Sequence, residues 1–126
     1  MSNLAGTFKS TLKTVDHATE VVGGNTVVKF DDVLTGAEQN AYLLQFDVAN
    51  TSDTGVQVSV KIVRGTTSVY LVKKAPVPQG STLQIIDGQK LVLHQNDVVQ
   101  VACETEGQSV DVVLSHVDHV NLVDLV

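Results

Sequence analysis

Apolar and polar residues alternate with a period of two through much of the chain. Val56, Val58, Val60 and Ile62 share one parity, and Gln57, Ser59 and Lys61 share the other. On a strand these sets point to opposite faces, which predicts one half-buried strand. Tyr42, Leu44, Phe46 and Val48 repeat the pattern against Gln45 and Asp47, and Val110, Val112 and Leu114 repeat it against Asp111 and Ser115. A helix would spread the same residues around its cylinder and expose half of them. Each large side chain buried contributes about 1.5–3 kcal/mol, so three such faces suffice to define a core.

Turn signals punctuate the alternation. Asp53-Thr54-Gly55, Arg64-Gly65, Gln79-Gly80, Asp87-Gly88 and Glu106-Gly107 all fall between apolar runs. Asp87-Gly88 carries the preference of a tight hairpin, where both central residues need positive φ. Strands are predicted at about 25–30, 41–49, 56–63, 67–74, 82–86, 90–94, 98–103 and 109–116. Eight short strands with this spacing predict an all-β domain, a single antiparallel β-sandwich or jelly roll. Pro76 and Pro78 cannot donate ladder hydrogen bonds, so residues 75–81 read as an extended crossover or an edge. Asn96-Asp97 supplies an Asx turn before the strand at 98. Residues 1–24 alternate weakly and end in Gly23-Gly24, an N-terminal arm or an added strand ahead of a sandwich at 25–126. As an arm, residues 1–22 would be removable without unfolding the domain. Phe8, Leu12 and Val15 in that segment, and Leu122, Leu125 and Val126 at the other end, are the candidate partner contacts. An apolar terminus is normally tied down, in the core or on a neighbour. Val63, Val72, Val92 and Val113 fall on the outward parity of their strands and ask for cover from a neighbour of the second sheet, a terminal segment or another subunit, and a homo-oligomer is expected.

Composition agrees with the pattern. About a fifth of the chain is valine, whose β-branching suits strands. At 126 residues the chain makes one domain with a core of its own. A net charge of −6 and a pI near 4.9 repel phosphate backbones and anionic headgroups, so neither nucleic acid nor membrane is an expected partner. The first residues lack a basic segment followed by an apolar one, so no signal peptide is expected and synthesis in a cytosol is. Cys103 is the single cysteine and forms no internal disulfide.

Candidate chemistry is sparse. His116-Val117-Asp118-His119 is the densest cluster of potential ligands, but alternation sends His116 and Asp118 one way and His119 the other. A closed zinc site needs four placed ligands, and only His17, His94 and Cys103 add soft donors. Cys103 shares parity with Val99 and Val101 and reads as a small buried hydrophobe rather than a nucleophile. Phosphate loops, nucleophile elbows and metalloprotease helices have no counterpart in the sequence. Asn50-Thr51-Ser52 matches a glycosylation pattern but reads as a turn. The aromatic residues Phe8, Phe30, Tyr42, Phe46 and Tyr70 are too few for an obvious stacking platform. No catalytic residue, metal or cofactor is expected.

One stretch carries a family resemblance. It runs through Phe46-Asp47-Val48-Ala49-Asn50-Thr51-Ser52, Val58-Ser59-Val60-Lys61-Ile62 and Tyr70-Leu71-Val72-Lys73-Lys74-Ala75-Pro76-Val77-Pro78-Gln79-Gly80-Ser81. It continues with Gln89-Lys90-Leu91-Val92-Leu93, Asn96-Asp97-Val98-Val99-Gln100-Val101 and Val110-Asp111-Val112-Val113-Leu114-Ser115. This order resembles small β-sandwich structural proteins of tailed bacteriophages. The resemblance covers a little over half the chain, and its distinctive part is the segment from Tyr70 to Ser81. It implies a virion component and not an enzyme. The expected role is a capsid decoration, or cement, protein on the outer head shell, with the major capsid protein as partner and a trimer at local symmetry axes as one form of the homo-oligomer. A neck or tail accessory protein, collar or fibre, is the alternative. A host-surface or glycan-binding module, using loops near 50–55 or 104–108, is the third reading.

Overall fold

The computed structural model describes residues 8–34, 41–86 and 90–118. Among them lie eleven strands and no helix: β1 (Phe8–Asp16), β2 (Thr19–Val22), β3 (Asn25–Val28), β4 (Asp31–Leu34), β5 (Ala41–Ala49), β6 (Val56–Arg64), β7 (Thr67–Val77), β8 (Thr82–Ile86), β9 (Leu91–Leu93), β10 (Val98–Cys103) and β11 (Ser109–Asp118). The protein is all-β, as the alternation predicts. One antiparallel sheet has the order β1-β11-β5-β8, with β9 also paired to β5, and the other has the order β4-β10-β6-β7.

The pairing has a simple logic. β6 pairs with β7, β5 with β8, β4 with β10 and β1 with β11. These are the rungs of one long hairpin, closed at β6–β7 and open at the two ends of the described chain. The hairpin is wound so that β11 also meets β5 and β10 also meets β6. That winding is a jelly roll, two Greek keys in two packed sheets. β2 and β3 form an extra hairpin between the first and second strands of the roll. Its turn is Gly23-Gly24, at φ 59° and 83°, where two consecutive positive values suit glycine.

Of the segment read as arm or added strand, β1 occupies Phe8–Asp16. It is the added strand and not a detachable arm, since all nine of its residues are in register with β11. Val15 lies fully inside the core opposite Val110, so removing residues 1–22 would open the sandwich rather than spare it.

The core is the space between the two sheets. Val56, Val58 and Val60 of β6, Val99, Val101 and Cys103 of β10, and Val110, Val112 and Leu114 of β11 are buried as their parity predicts. Phe46 and Val48 also point inward, but Tyr42 and Leu44 do not; Ala41 and Leu43 take those places. The cause is a bulge: Ser115 faces Gln45 and His116 faces Leu43, so Leu44 is an extra residue and parity flips beyond it. β7 corrects a second assignment in the same way. Val58 faces Ala75, Val60 faces Val72 and Lys61 faces Tyr70. Two extra residues on β7 return Val72 to the inward side, where it packs on the core. Val92 and Val113 are exposed on the outer face, as expected.

Two polar knots hold the strand ends. Buried Asn50, at the end of β5, donates through Nδ2 to the Thr54 carbonyl (2.8 Å) and the Val77 carbonyl (2.9 Å). Its Oδ1 accepts from the Ser52 amide (2.9 Å) and hydroxyl (2.5 Å). Its backbone amide donates to Ser81 O, and its carbonyl accepts from Gly80, which holds φ 72°. The segment Ala49-Asn50-Thr51-Ser52 is thus tied to the Pro78–Ser81 turn. Pro76 lies in β7, an edge strand, so the strand runs further than the sequence suggests while the edge placement holds. The second knot is Asp97. It accepts from Arg64 Nε (2.8 Å) and Nη2 (2.7 Å) and from the His94 amide (2.8 Å). This adds a bidentate ion pair between the β6 end and the turn before β10.

β8 and β9 do not form the hairpin expected around Asp87-Gly88. Both pair with β5, Ile86 opposite Phe46 and Leu91 opposite Leu43, so they follow one another along the same edge. The Asp87-Gly88 pair itself lies outside the described residues.

Candidate functional site

Two surfaces of the jelly roll carry exposed groups arranged by the fold. The first is on the outer face of the β4-β10-β6-β7 sheet. Tyr70, Lys61, Gln100 and Asp32 are neighbours across four adjacent strands. The β2–β3 hairpin lies over this row, and the open groove of about 500 Å³ between them is lined by Glu20, Asn25, Phe30, Lys61, Tyr70 and Gln100 among others. The Phe30 and Tyr70 rings meet edge to face, with centroids 6.2 Å apart and planes at 63°. Lys61 Nζ stands 4.1 Å from the centre of the Phe30 ring, and Lys73 Nζ 5.3 Å from that of Tyr70. Both ammonium groups are within reach of the negative ring faces. Gln100 Nε2 donates to Asp32 Oδ1 at 2.7 Å, fixing the amide at the floor. The groove therefore offers ring edges, amides, the Glu20 carboxylate and the Lys61 ammonium beside Val22, Val27 and Val28, a mixed polar and apolar lining.

The second surface is the outer face of the other sheet. Phe8, Val117, Tyr42 and Val92 are directly opposite one another across β1, β11, β5 and β9. Leu12 lies opposite Val113 further along. Phe8 is 71% exposed and Leu12 75%. The band thus has two apolar rows with a polar row of Ser10, Ser115 and Gln45 between them, and a strand edge borders it.

The residues singled out in the sequence fall in different places. Phe8 and Leu12 are on this band. Val15 has the other parity and belongs to the core, so it is withdrawn as a surface contact. Leu122, Leu125 and Val126 lie outside the described residues, as does His119. His116 is buried in β11, and Asp118 sits opposite Ala41. His17 Nδ1 is 2.8 Å from the Cys103 carbonyl, across the sandwich end. Cys103 is fully buried and its thiol pKa is pushed up by that burial. A thiol so placed is a poor nucleophile. Among the described residues no group of three or more His, Cys, Asp or Glu is close enough to hold a metal ion. The loops at 50–55 and 104–108 bind the fold to itself: Glu104 accepts from Ser59 Oγ (2.5 Å), and Thr105 Oγ1 accepts from the Gln57 amide (2.9 Å).

The groove was missed by sequence reasoning because its residues are far apart in the chain. Lys61, Tyr70 and Gln100 read singly as outward strand positions; only the pairing puts them in one row. No protein-family model matches the chain, and no curated protein is significantly similar to it in sequence.

Proposed function

We propose that this protein is a non-enzymatic structural component of a tailed-phage virion, a decoration protein that binds the outer head shell. The observation that carries the reading is the set of exposed apolar side chains Phe8, Leu12 and Val113 on one outer face of the jelly roll. Bands of this kind are docking surfaces for other proteins. The resemblance of residues 46–115 to phage sandwich proteins supplies the virion context, and the jelly-roll winding is a frequent one in capsid domains. Repeated copies on a shell add modest contacts through multivalency, so no single large interface is needed. The partner on this reading is the major capsid protein.

Immunogold labelling of purified virions with antibody to this chain tests the proposal. Gold spread over the head, with hundreds of copies per particle, is the expected result. Gold confined to the neck or tail, with a few copies, would replace it by the accessory role. Unlabelled particles would overturn the virion assignment.

The groove beneath the β2–β3 hairpin favours a second reading, recognition of a surface glycan. On this reading the isolated protein binds host cells or a glycan array, and Tyr70→Ala, which removes an exposed ring from the groove, abolishes the signal without unfolding the protein.

A further inference from the structure

The four sheet edges are not alike. β7 carries Pro76, the Lys73-Lys74 pair and two bulges, one with Lys74 at φ 53°. β4 is only four residues long, and its pairing with β10 is interrupted. The β8/β9 edge is made of two short strands, five and three residues long. Proline, bulges, lysines and brevity are the usual devices that stop a sheet from recruiting another strand. β1 carries two lysines of its own, Lys9 and Lys13, but it has nine residues, no proline and an unshifted register with β11, and no described strand pairs with its other side. It also carries the exposed large apolar side chains Phe8 and Leu12.

The two ends of β1 differ. Its C-terminal half lies beside β4: Lys13 Nζ donates to the Asp32 carbonyl at 3.0 Å, and Val15 is buried. Apart from β11, no described strand lies beside the half from Phe8 to Leu12. Phe8, Ser10 and Leu12 alternate on the outer face, so this half is self-complementary about Ser10. An antiparallel copy centred there sets Phe8 against the partner's Leu12, Ser10 against the partner's Ser10, and Leu12 against the partner's Phe8. Residues directly opposite in antiparallel strands share a face.

We propose that β1 pairs antiparallel with β1 of a second copy, about a two-fold axis at Ser10, to make one continuous sheet through a dimer. The register joins the apolar row of one copy to that of the other: Val92, Tyr42, Val117 and Phe8 continue into the partner's Leu12 and the partner's Val113. The same row runs the opposite way by symmetry. Centring on Leu12 instead would set Phe8 against the partner's Asp16 and break both rows. The pairing adds main-chain hydrogen bonds along an edge that no described strand pairs. The pairing stands on the strand itself and does not depend on a place in a virion.

The test is sedimentation of the full chain at micromolar concentration, combined with cysteine cross-linking. Cys103 is buried and does not compete in the folded protein. Directly opposite residues lie within disulfide reach, and residues displaced by four positions do not. The wild type is expected to sediment as a dimer, and Leu12→Lys, an exposed substitution, as a monomer with an unchanged circular dichroism spectrum. Ser10→Cys is expected to form a covalent dimer under mild oxidation, and Leu12→Cys to form none. A monomeric or trimeric wild type would overturn the proposal. So would cross-linking through Leu12→Cys in place of Ser10→Cys, or a Leu12→Lys variant that is folded and still dimeric.

Discussion

At the scale of single residues, stability rests on a few side chains in positions that tolerate little change. Phe46 is the largest fully buried side chain, and truncation to alanine leaves a cavity between the sheets. Phe46→Ala is expected to cost about 3–5 kcal/mol in urea denaturation, and a loss below about 1 kcal/mol would remove it from the core. Asn50 is held by charge pattern as much as by shape. Its Nδ2 faces two carbonyl oxygens, so Asn50→Asp would aim a carboxylate oxygen at Thr54 O and Val77 O. The expected loss is at least about 2 kcal/mol at neutral pH, shrinking on acidification as the carboxyl takes up a proton. Asp97 behaves in the opposite sense. Its hydrogen bonds from the Arg64 guanidinium hold its carboxyl below the usual carboxylate range, more strongly than burial raises it. The unfolded chain releases that proton near pH 3.9. The folded value being lower, the stabilisation is complete above about pH 3.9 and fades as pH falls through the folded-state value. Asp97→Asn should therefore lower stability at pH 7 and flatten the acid limb of the stability curve. An acid limb identical to that of the wild type would assign the acid sensitivity to other carboxylates.

At the scale of elements, strand positions were legible and strand faces only partly so. β5, β8 and β10 fall where alternation predicts them, because a buried face must be apolar at every second residue. The faces of Tyr42, Leu44 and Val72 were not legible, because one inserted residue reverses parity and a bulge leaves no composition mark of its own. β1, β2 and β4 were hidden for another reason. β1 and β2 are largely exposed and β4 is short, so their apolar residues are too few or too scattered to announce a buried face. Of the candidate site, Phe8 and Leu12 were legible as an apolar pair without a core to fill, whereas the groove depended on cross-strand neighbours. The β7 bulge gives a direct handle on this hidden geometry. Lys74 holds a left-handed backbone conformation while its amide donates to Ser59 Oγ at 2.9 Å. Lys74→Gly removes the Cβ penalty and keeps the amide, so it should be neutral or stabilising by less than about 1 kcal/mol in thermal melts. Lys74→Val should destabilise by about 1–2 kcal/mol, since β-branched residues resist positive φ. Equal melting points for the two variants would mean that the bulge relaxes away in solution.

At the scale of the whole molecule, the wound hairpin makes the fold cooperative, because its first strand and its last are neighbours in one sheet. β1 closes on β11, and both flank the same core as β10. Cys103 at the end of β10 reports on that closure. It is fully buried, and burial raises its thiol pKa, so iodoacetamide can reach a reactive thiolate only through opening of the sandwich. When opening and closing are fast relative to alkylation, the labelling rate follows the population of the open form. If only global opening exposes the thiol, Phe46→Ala should accelerate labelling by the factor set by its stability loss. A loss of about 3–5 kcal/mol corresponds to roughly a hundredfold to several thousandfold, at about 1.4 kcal/mol per tenfold. Leu12→Lys, at an exposed position on the far side of β1, should leave the rate nearly unchanged if subunit contact does not contribute to the core, and slow labelling in the wild type relative to it would measure that contribution. A rate indifferent to Phe46→Ala would locate the opening in the 104–108 turn alone. The end of β10 would then unfasten separately from the sandwich, at the point where Glu104 and Thr105 bond back to β6.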